Sequence, residues 1–189
     1  MAGMREPEIV VLVITGPVGA GKSTVAAALS EVLEDHSVRH ALIDLDALRQ
    51  VVPNPPGDQF AVRLGLRNLA AVWPNYRALG IDALILADVV EDCGQVADYE
   101  RAMPGAAVIV VRLDVPMELI LARLARREGE RTLAWYRRRA PELQEIMERH
   151  GVGDVVISVG ARTPHEVALE IARLTGLVTA SPDSPKAGP

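Results

Sequence analysis

Five short apolar segments alternate along the chain with longer segments whose apolar residues recur at helical spacing. The apolar segments are residues 8–14, 39–43, 81–86, 106–113 and 154–159. Continuous runs rich in Ile, Val and Leu are typical of strands that are buried on both faces. Their alternation with helices predicts an α/β fold in which a parallel sheet carries helices on both faces, with ligands bound at the carboxyl edge of the sheet.

The helices are predicted from apolar spacing and from the residues that begin and end them. We expect helices over 22–35, 116–127 and 132–150. One more runs from a cap at Asp58 to about Trp73, another follows the third apolar segment and ends near Met103, and the last runs from a capping box at Thr163 to near Gly176. Residues 8–176 are predicted to form a single domain. Residues 1–7 and 179–189 are rich in Pro, Gly, Ser and charge without apolar periodicity, and we expect them to be poorly ordered.

A glycine-rich loop stands between the first predicted strand and the first predicted helix. It consists of Gly16, Pro17, Val18, Gly19, Ala20, Gly21, Lys22 and Ser23, followed by Thr24. Backbone N–H groups of residues 18–22 can surround a polyphosphate, and the helix N-terminus favours negative charge. Lys22 is expected to hold the β- and γ-phosphates, Ser23 to bind Mg²⁺, and Thr24 to add a phosphate contact. These residues predict a P-loop nucleotide-binding protein.

The composition supports this interpretation of the loop. Of the 20 basic residues only Lys22 and Lys186 are lysines, so Lys22 is the only lysine within the predicted domain. A phosphate site requires a compact ammonium on a slender stem, whereas a neutral surface position in this chain would most often carry arginine. The lysine is therefore placed where the motif requires one.

Charge and hydropathy argue against several other classes of protein. The formal net charge is -5, so no nucleic-acid or membrane partner is expected. Cys93 is the only cysteine, which rules out an intramolecular disulfide and a cysteine-cluster metal site. No apolar run approaches the roughly 20 residues that span a bilayer, and no cleavable signal is recognisable at the N-terminus. We expect a cytoplasmic protein that is a monomer or a homodimer.

Two acids follow the second predicted strand. Asp44 and Asp46 lie at its carboxyl end, where the alternation of side chains lets both point to one side. A carboxylate there can accept the proton of an acceptor hydroxyl or order water bound to Mg²⁺. One of the pair has an alternative role as the N-cap of a short helix over residues 47–51. Asp44 and Asp46 are candidate catalytic residues, and Asp44 is also a candidate substrate contact.

Asp88 follows the third predicted strand and is a candidate for metal binding through water. The alternative is a helix cap, and Glu91 and Asp92 compete for the metal role.

Arginines surround a charged break between two predicted helices. Arg123, Arg126, Arg127 and Arg131 lie on either side of Glu128-Gly129-Glu130. A mobile lid that brings guanidinium groups to a transferring phosphate has this composition, and Arg126 and Arg127 are the preferred catalytic members. Arg123 is a candidate nucleotide contact. The alternative is a solvated helix end whose arginines complement the helix dipole.

Three further arginines are weaker candidates. Arg63 and Arg67 share a helical surface and are candidates for acceptor binding, with ordinary surface charge as the alternative. Arg162 follows the last strand and is a candidate border of the adenine site, with a plain turn and helix cap as the alternative. Trp73 and Tyr76 are interpreted as core or as a wall of the acceptor site.

Taken together, these motifs resemble the small P-loop kinases, the group of adenylylsulfate kinase, gluconate kinase and chloramphenicol phosphotransferase. The resemblance spans nearly all of residues 8–176 and depends mainly on Gly16–Thr24, on Asp44–Arg49 and on Leu121–Arg131. It implies a three-layer P-loop NTPase fold, a strand order of 2-3-1-4-5 and transfer of the ATP γ-phosphoryl group to a hydroxyl. Neither the glycine triplet expected in shikimate kinases nor the acceptor-loop signature of adenylylsulfate kinases is present.

The leading hypothesis is therefore a kinase that uses ATP and Mg²⁺ to phosphorylate a nucleoside-like or sugar-like small molecule. The alternative is a P-loop protein that binds a nucleotide in an accessory or sensing role and phosphorylates no small molecule.

Overall fold

The computed structural model describes residues 8–179, so the predicted tail 1–7 and all but the first residue of the predicted tail 179–189 lie outside the described part of the chain. Five parallel strands form one sheet in the order β2-β3-β1-β4-β5. The strands are β1 Ile9–Thr15, β2 His40–Asp44, β3 Ala83–Ala87, β4 Ala106–Asp114 and β5 Val155–Ser158. This confirms the predicted parallel sheet and the strand order that the resemblance implied.

The described residues contain seven α-helices, six between strands and one after the last strand. They are α1 Lys22–Asp35, α2 Leu45–Leu48, α3 Val62–Ala78, α4 Val96–Ala102, α5 Met117–Arg127, α6 Glu130–Arg149 and α7 Pro164–Leu174. A short 3₁₀ turn, Cys93–Gln95, precedes α4. The predicted capping box begins α7, because the Thr163 hydroxyl accepts a hydrogen bond from the Glu166 amide and the Glu166 carboxylate accepts one from the Thr163 amide.

Buried side chains fill both faces of the sheet. In β1, Leu12 and Ile14 belong to the cluster that contains α1 and α7, whereas Val11 and Val13 belong to the cluster that contains α3 and α4. Because successive strand residues point to opposite faces, a continuous apolar run is the sequence pattern that such a central strand requires. The helices therefore cover both faces of the sheet, as predicted.

The third helix differs from its prediction at both ends. It begins at Val62 rather than Asp58, although the Asp58 carboxylate still accepts a hydrogen bond from the Leu64 amide in the first turn, at 3.3 Å. It also continues through Pro74 to Ala78 instead of ending near Trp73. Trp73 is buried and its indole N–H donates to the Pro104 carbonyl. Packing of this face outweighs the cost of an internal proline, about 3 kcal/mol.

The strand register sets the geometry of the carboxyl edge. Asp44 and Ile14 are both aligned with Ala87, the last residue of β3, and Ile14 is also aligned with Val111 of β4. The Asp88 amide donates to the Ile14 carbonyl at 3.2 Å, which fixes the chain just beyond β3 to β1. The glycine-rich loop, Asp44 and Asp88 therefore begin at one level of the sheet.

The central strand supplies a test of this packing. We expect Leu12→Ala to lower the free energy of unfolding by about 2–5 kcal/mol, because Leu12 is fully buried and its truncation leaves a cavity. Leu42 lies on the edge strand β2 and is 39% exposed, so Leu42→Ala is expected to cost under about 1 kcal/mol. Denaturant unfolding of both variants measures the difference, and equal costs would contradict the assignment of β1 to the centre of the core.

Candidate functional site

The glycine-rich loop connects β1 to α1 at the carboxyl edge of the sheet. The residues predicted to bind nucleotide there, Gly16, Val18, Gly19, Ala20, Gly21, Lys22, Ser23 and Thr24, lie together between the end of β1 and the first turn of α1. Gly19 has a φ of 84°, and a Cβ added to it would lie 2.9 Å from Leu124 Cγ in α5. Glycine is therefore required at this position both for the backbone conformation and for close packing of the loop on α5.

The N-terminus of α1 is open. Gly21 is its N-cap residue, no side chain caps it, and its first turn carries no acidic residue. The unpaired N–H groups and the positive end of the helix dipole favour a bound anion. The position and charge of this terminus fit the predicted phosphate site.

Lys22 lies over the loop. Its ammonium donates to the carbonyls of Gly16 at 3.1 Å and Pro17 at 3.3 Å. Burial lowers the pKa of Lys22 from 10.5 to about 8, although Asp46, Asp88 and Asp44 oppose the shift. The ammonium is thus partly desolvated in the free protein and interacts with all three acids of the carboxyl edge.

Ser23 and Asp44 meet directly. The Ser23 hydroxyl donates to Asp44 Oδ2 at 2.8 Å, and Asp44 Oδ1 accepts a hydrogen bond from the Asp46 amide at 3.0 Å. Asp44 is therefore the N-cap of α2 and also the carboxylate next to the loop serine. The cap role belongs to Asp44 rather than to Asp46.

Hydrogen bonds and one ion pair link Asp46, Arg49, Asp88 and Tyr99, which we call the Arg49 cluster. Arg49 Nε donates to Asp46 Oδ1 at 2.9 Å, Arg49 Nη2 donates to the same atom, and Nη2 also forms an ion pair with Asp88 Oδ1 at 3.0 Å. The Tyr99 hydroxyl donates to Asp88 Oδ2 at 2.5 Å. The cluster runs from the exposed carboxylate of Asp46 to the buried carboxylate of Asp88.

Asp88 is buried beside the Arg49 guanidinium. Burial raises its pKa, and Arg49, the Tyr99 hydroxyl and the Val89 amide act in the opposite direction. Arg49 and the Val89 amide can only donate, so both favour the carboxylate form. Burial would lower the pKa of Arg49, but Asp88 and Asp46 outweigh that effect and raise it.

The predicted metal role of Asp88 stays a prediction, and its placement does not favour that role. Both Asp88 oxygens accept hydrogen bonds within the Arg49 cluster or from Val89, whereas the carboxylate that contacts Ser23 is Asp44. Among the residues 8–179 no group of three or more His, Cys, Asp or Glu side chains is placed to hold a metal ion. A Mg²⁺ site of the P-loop kind needs only one or two protein ligands, because water and phosphate supply the rest.

The arginine-rich segment at residues 121–131 contacts the glycine-rich loop through Arg123. Arg123 Nη1 donates to the Ala20 carbonyl at 3.1 Å, which places the C-terminal half of α5 against the loop. Arg127 pairs with Glu128 at 2.7 Å, is largely exposed, and contributes to the lowered pKa of Lys22. Arg126 and Arg131 are exposed. The predicted break between two helices is present at residues 128–129.

Arg63 and Arg67 lie away from the Arg49 cluster. Gly65 is the residue of α3 that packs on Arg49, since a Cβ there would lie 3.3 Å from Arg49 Cβ. Arg63 and Arg67 are each two residues from Gly65, roughly 160° around the helix axis. Arg63 donates to the Gly57 carbonyl at 2.8 Å. This geometry speaks against direct contact between either arginine and an acceptor held at Asp46.

Arg162 is engaged by its own turn and helix. It donates to the carbonyls of Ser158 at 3.1 Å and Glu166 at 3.0 Å, and it pairs with Glu170 at 2.5 Å. These contacts match the alternative in which Arg162 stabilises the turn before α7.

Sequence reasoning did not single out Arg49 or Tyr99. Arg49 follows Asp46 by three residues, so helical spacing alone gave a signal for that ion pair. Tyr99 lies 11 residues beyond Asp88 in a separate helix, and no local pattern indicates that the two side chains meet.

A broad groove of the described structure lies elsewhere. Its volume is about 1050 Å³, and Arg39, Trp73 and Asp82 are among the residues that line it, at the amino edge of the sheet. Trp73 was interpreted as core or as an acceptor wall, and none of the candidate catalytic, nucleotide, metal or substrate residues lines the groove. Those candidates are at the opposite edge, so this groove does not locate the site.

Comparison with protein families finds a match to the adenylylsulphate kinase family over residues 8–64, which include the loop and the segment from Asp44 to Arg49. The matched part is less than half of the chain. A comparison with curated proteins found no match.

Several solved structures share the fold. The tunicamycin resistance protein of Deinococcus radiodurans is 21% identical, with a TM-score of 0.64 over 93% of this chain and 100% of that one. The APS kinase of Mycobacterium tuberculosis, in complex with AMPPNP and APS, is 22% identical, with a TM-score of 0.61 over 90% and 99%. A gluconokinase from Sinorhizobium meliloti is 21% identical, with a TM-score of 0.59 over 92% and 97%.

The predicted resemblance to the small P-loop kinases is thereby confirmed, and the chain has their fold. No helix in the described part of the chain is both long and apolar enough to cross a bilayer.

The lowered pKa of Lys22 predicts how the stability of the nucleotide-free protein depends on pH. At pH 7 the folded state holds a desolvated ammonium, so Lys22→Met is expected to be more stable than the wild type by about 1–3 kcal/mol. Between pH 8 and pH 10.5 the unfolded chain keeps a proton that the folded protein has lost. The stability of the wild type therefore rises with pH relative to the variant in this window.

Denaturant unfolding of the wild type and of Lys22→Met at pH 7 and pH 10 measures this difference. The advantage of the variant should shrink at pH 10, and the comparison cancels the titration of all other groups. An equal difference at both pH values would show that Lys22 titrates normally in the folded protein.

Proposed function

We propose that this protein is a kinase that transfers the γ-phosphoryl group of ATP, with Mg²⁺, to a hydroxyl group of a nucleoside-like or sugar-like small molecule. The observation that carries the proposal is the contact between Ser23 of the phosphate loop and Asp44, with the exposed carboxylate of Asp46 two residues further. A donor site and an acid able to serve an acceptor are thus adjacent.

The loop supplies the donor half of the site. The open N-terminus of α1 and the ammonium of Lys22 would hold the phosphates of a bound nucleotide, whose oxygens would replace the carbonyls of Gly16 and Pro17 as partners of Lys22. Arg123 already lies on the loop, and Arg126 and Arg127 follow it on α5. Their guanidinium groups are suited to stabilising charge on the transferring phosphate.

The residues at the start of α1 fit Mg²⁺. Ser23 Oγ and Asp44 Oδ2 are hard oxygen ligands only 2.8 Å apart, next to the open helix terminus. We infer that Ser23 binds the ion directly and that Asp44 orients its water. An ion held by these two residues would neutralise charge on the β- and γ-phosphates.

Asp46 is placed to act on the acceptor. Its side chain is 65% exposed, and Arg49 donates two N–H groups to its Oδ1 atom. Within residues 8–179 the hydrogen bonds made by the Asp46 side chain involve Oδ1 alone, which leaves Oδ2 available for the proton of an acceptor hydroxyl. A positioned base of this kind typically contributes 10²–10⁴-fold to the rate.

A screen of acceptors tests the proposal. ADP release from ATP and Mg²⁺ is measured with nucleosides, sugars, polyols and hydroxylated antibiotics, together with direct measurement of ATP binding. Acceptor-stimulated ADP release is the expected result. ATP binding without stimulation by any acceptor would favour the accessory or sensing role instead.

Asp46→Asn supplies a sharper test of the assigned base. The variant should lower kcat by about 10²–10⁴-fold, because the carboxamide cannot accept the hydroxyl proton, while the affinity for ATP changes little. Asp98→Asn is the matched control, since Asp98 also pairs with an arginine three residues later but lies on α4. Equal losses of kcat in the two variants would remove Asp46 from the chemistry.

A further inference from the structure

We propose that the acceptor site selects hydroxyl compounds that carry no negative charge, and that Asp88 sets this preference by occupying the guanidinium of Arg49. The inference rests on the proposed kinase function and names the chemical class of its acceptor.

Arg49 is the arginine held against the proposed base, but it offers no free edge to an anion. A guanidinium binds a carboxylate, sulfate or phosphate through two parallel N–H groups, either Nε with Nη2 or Nη1 with Nη2. Both arrangements require Nη2. In this structure Nη2 and Nε both donate to Asp46, and Nη2 forms an ion pair with Asp88 at 3.0 Å. The side chain is only 13% exposed. An anionic acceptor would therefore have to compete with two carboxylates for this guanidinium.

No other arginine of the neighbouring helix takes over this role. Arg63 and Arg67 lie on the face of α3 opposite Gly65, which is the residue that packs on Arg49. Arg63 also lies 4.0 Å from the Asp58 carboxylate and donates to the Gly57 carbonyl.

The cations near the proposed base are already engaged. Asp44, Asp46 and Asp88 face Arg49, Lys22 and Arg127, and Lys22 and Arg127 are assigned to the phosphate site. An anionic acceptor at Asp46 would therefore meet these carboxylates and the bound polyphosphate. Like charges at a desolvated contact oppose binding strongly, whereas a neutral or cationic acceptor avoids this repulsion.

Asp88 is the residue whose removal changes this balance. It is buried and forms an ion pair with the same Nη2 atom that donates to Asp46. In Asp88→Asn the guanidinium keeps one acidic partner instead of two, so more of its positive charge is left to attract an anion. The variant should therefore accept negatively charged acceptors better than the wild type does.

The wild-type preference is measured with matched pairs of acceptors. Each neutral alcohol is compared with its acidic relative: a sugar alcohol with the sugar acid, a nucleoside with its 5′-monophosphate, and a methyl ester with the free acid. kcat/KM is obtained from ADP release, and competitive inhibition constants are obtained for members that are not phosphorylated. The neutral members should be favoured by on the order of 100-fold.

Asp88→Asn tests the assigned cause. The ratio of neutral to anionic kcat/KM should fall by about tenfold or more in this variant. Asp82→Asn is the matched control, because it also breaks an Asp–Arg pair, with Arg39, but at the amino edge of the sheet. Its ratio should equal that of the wild type.

The outcomes separate the two proposals. Acidic members that are phosphorylated as well as their neutral relatives would overturn the preference and leave the kinase function standing. An unchanged ratio in a folded Asp88→Asn protein would overturn the role of Asp88. If that variant does not fold, the matched pairs on the wild type still decide the preference. Failure of every acceptor despite ATP binding would overturn the kinase function, and the inference with it.

Discussion

The alignment of three parallel strands at one edge is the constraint on which the site depends. Asp44 of β2 and Ile14 of β1 are level with Ala87 of β3, so the chain leaves all three strands at the same height. A shift of one residue in β2 would turn the Asp44 side chain to the other face of the sheet. The hydrogen bond between Ser23 and Asp44, and with it the proposed Mg²⁺ site, requires this register.

The buried ion pair between Asp88 and Arg49 lies next to this edge of the sheet. Removing Asp88 and Arg49 from water is costly, and such pairs contribute little net stability unless every hydrogen bond is made. Here Tyr99 and Val89 donate to Asp88, and Arg49 forms an ion pair with it. We interpret the ion pair as a support for Asp46, because Arg49 binds Asp46 Oδ1 and leaves Asp46 Oδ2 for the acceptor.

The parts of the site that sequence reasoning could predict are those encoded locally. The glycine-rich loop, the strand pattern and the acid pair after β2 each occupy one short segment whose spacing reveals its structure. The extent of α3 was wrong, because burial of Trp73 overrides the signal of Pro74.

The Arg49 cluster, in contrast, is not encoded in one short segment. Asp88 and Tyr99 reach Arg49 only after β3 pairs with β2 and α4 packs on the sheet, so no single segment carries the information. Arg63 and Arg67 show a related limit. Their spacing predicts that both lie on one surface of α3, but only the packing of Gly65 on Arg49 shows which way that surface faces.

The state of Lys22 connects the donor and acceptor halves of the site. In the free protein its ammonium has two backbone carbonyls and three acids nearby, yet burial still lowers its pKa to about 8. A polyphosphate would supply the compensating charge that this position lacks, and would also add negative charge next to Asp46. The stronger the donor is held, the less an anionic acceptor is tolerated. Tight ATP binding and selection of an uncharged acceptor thus follow from the same distribution of charge.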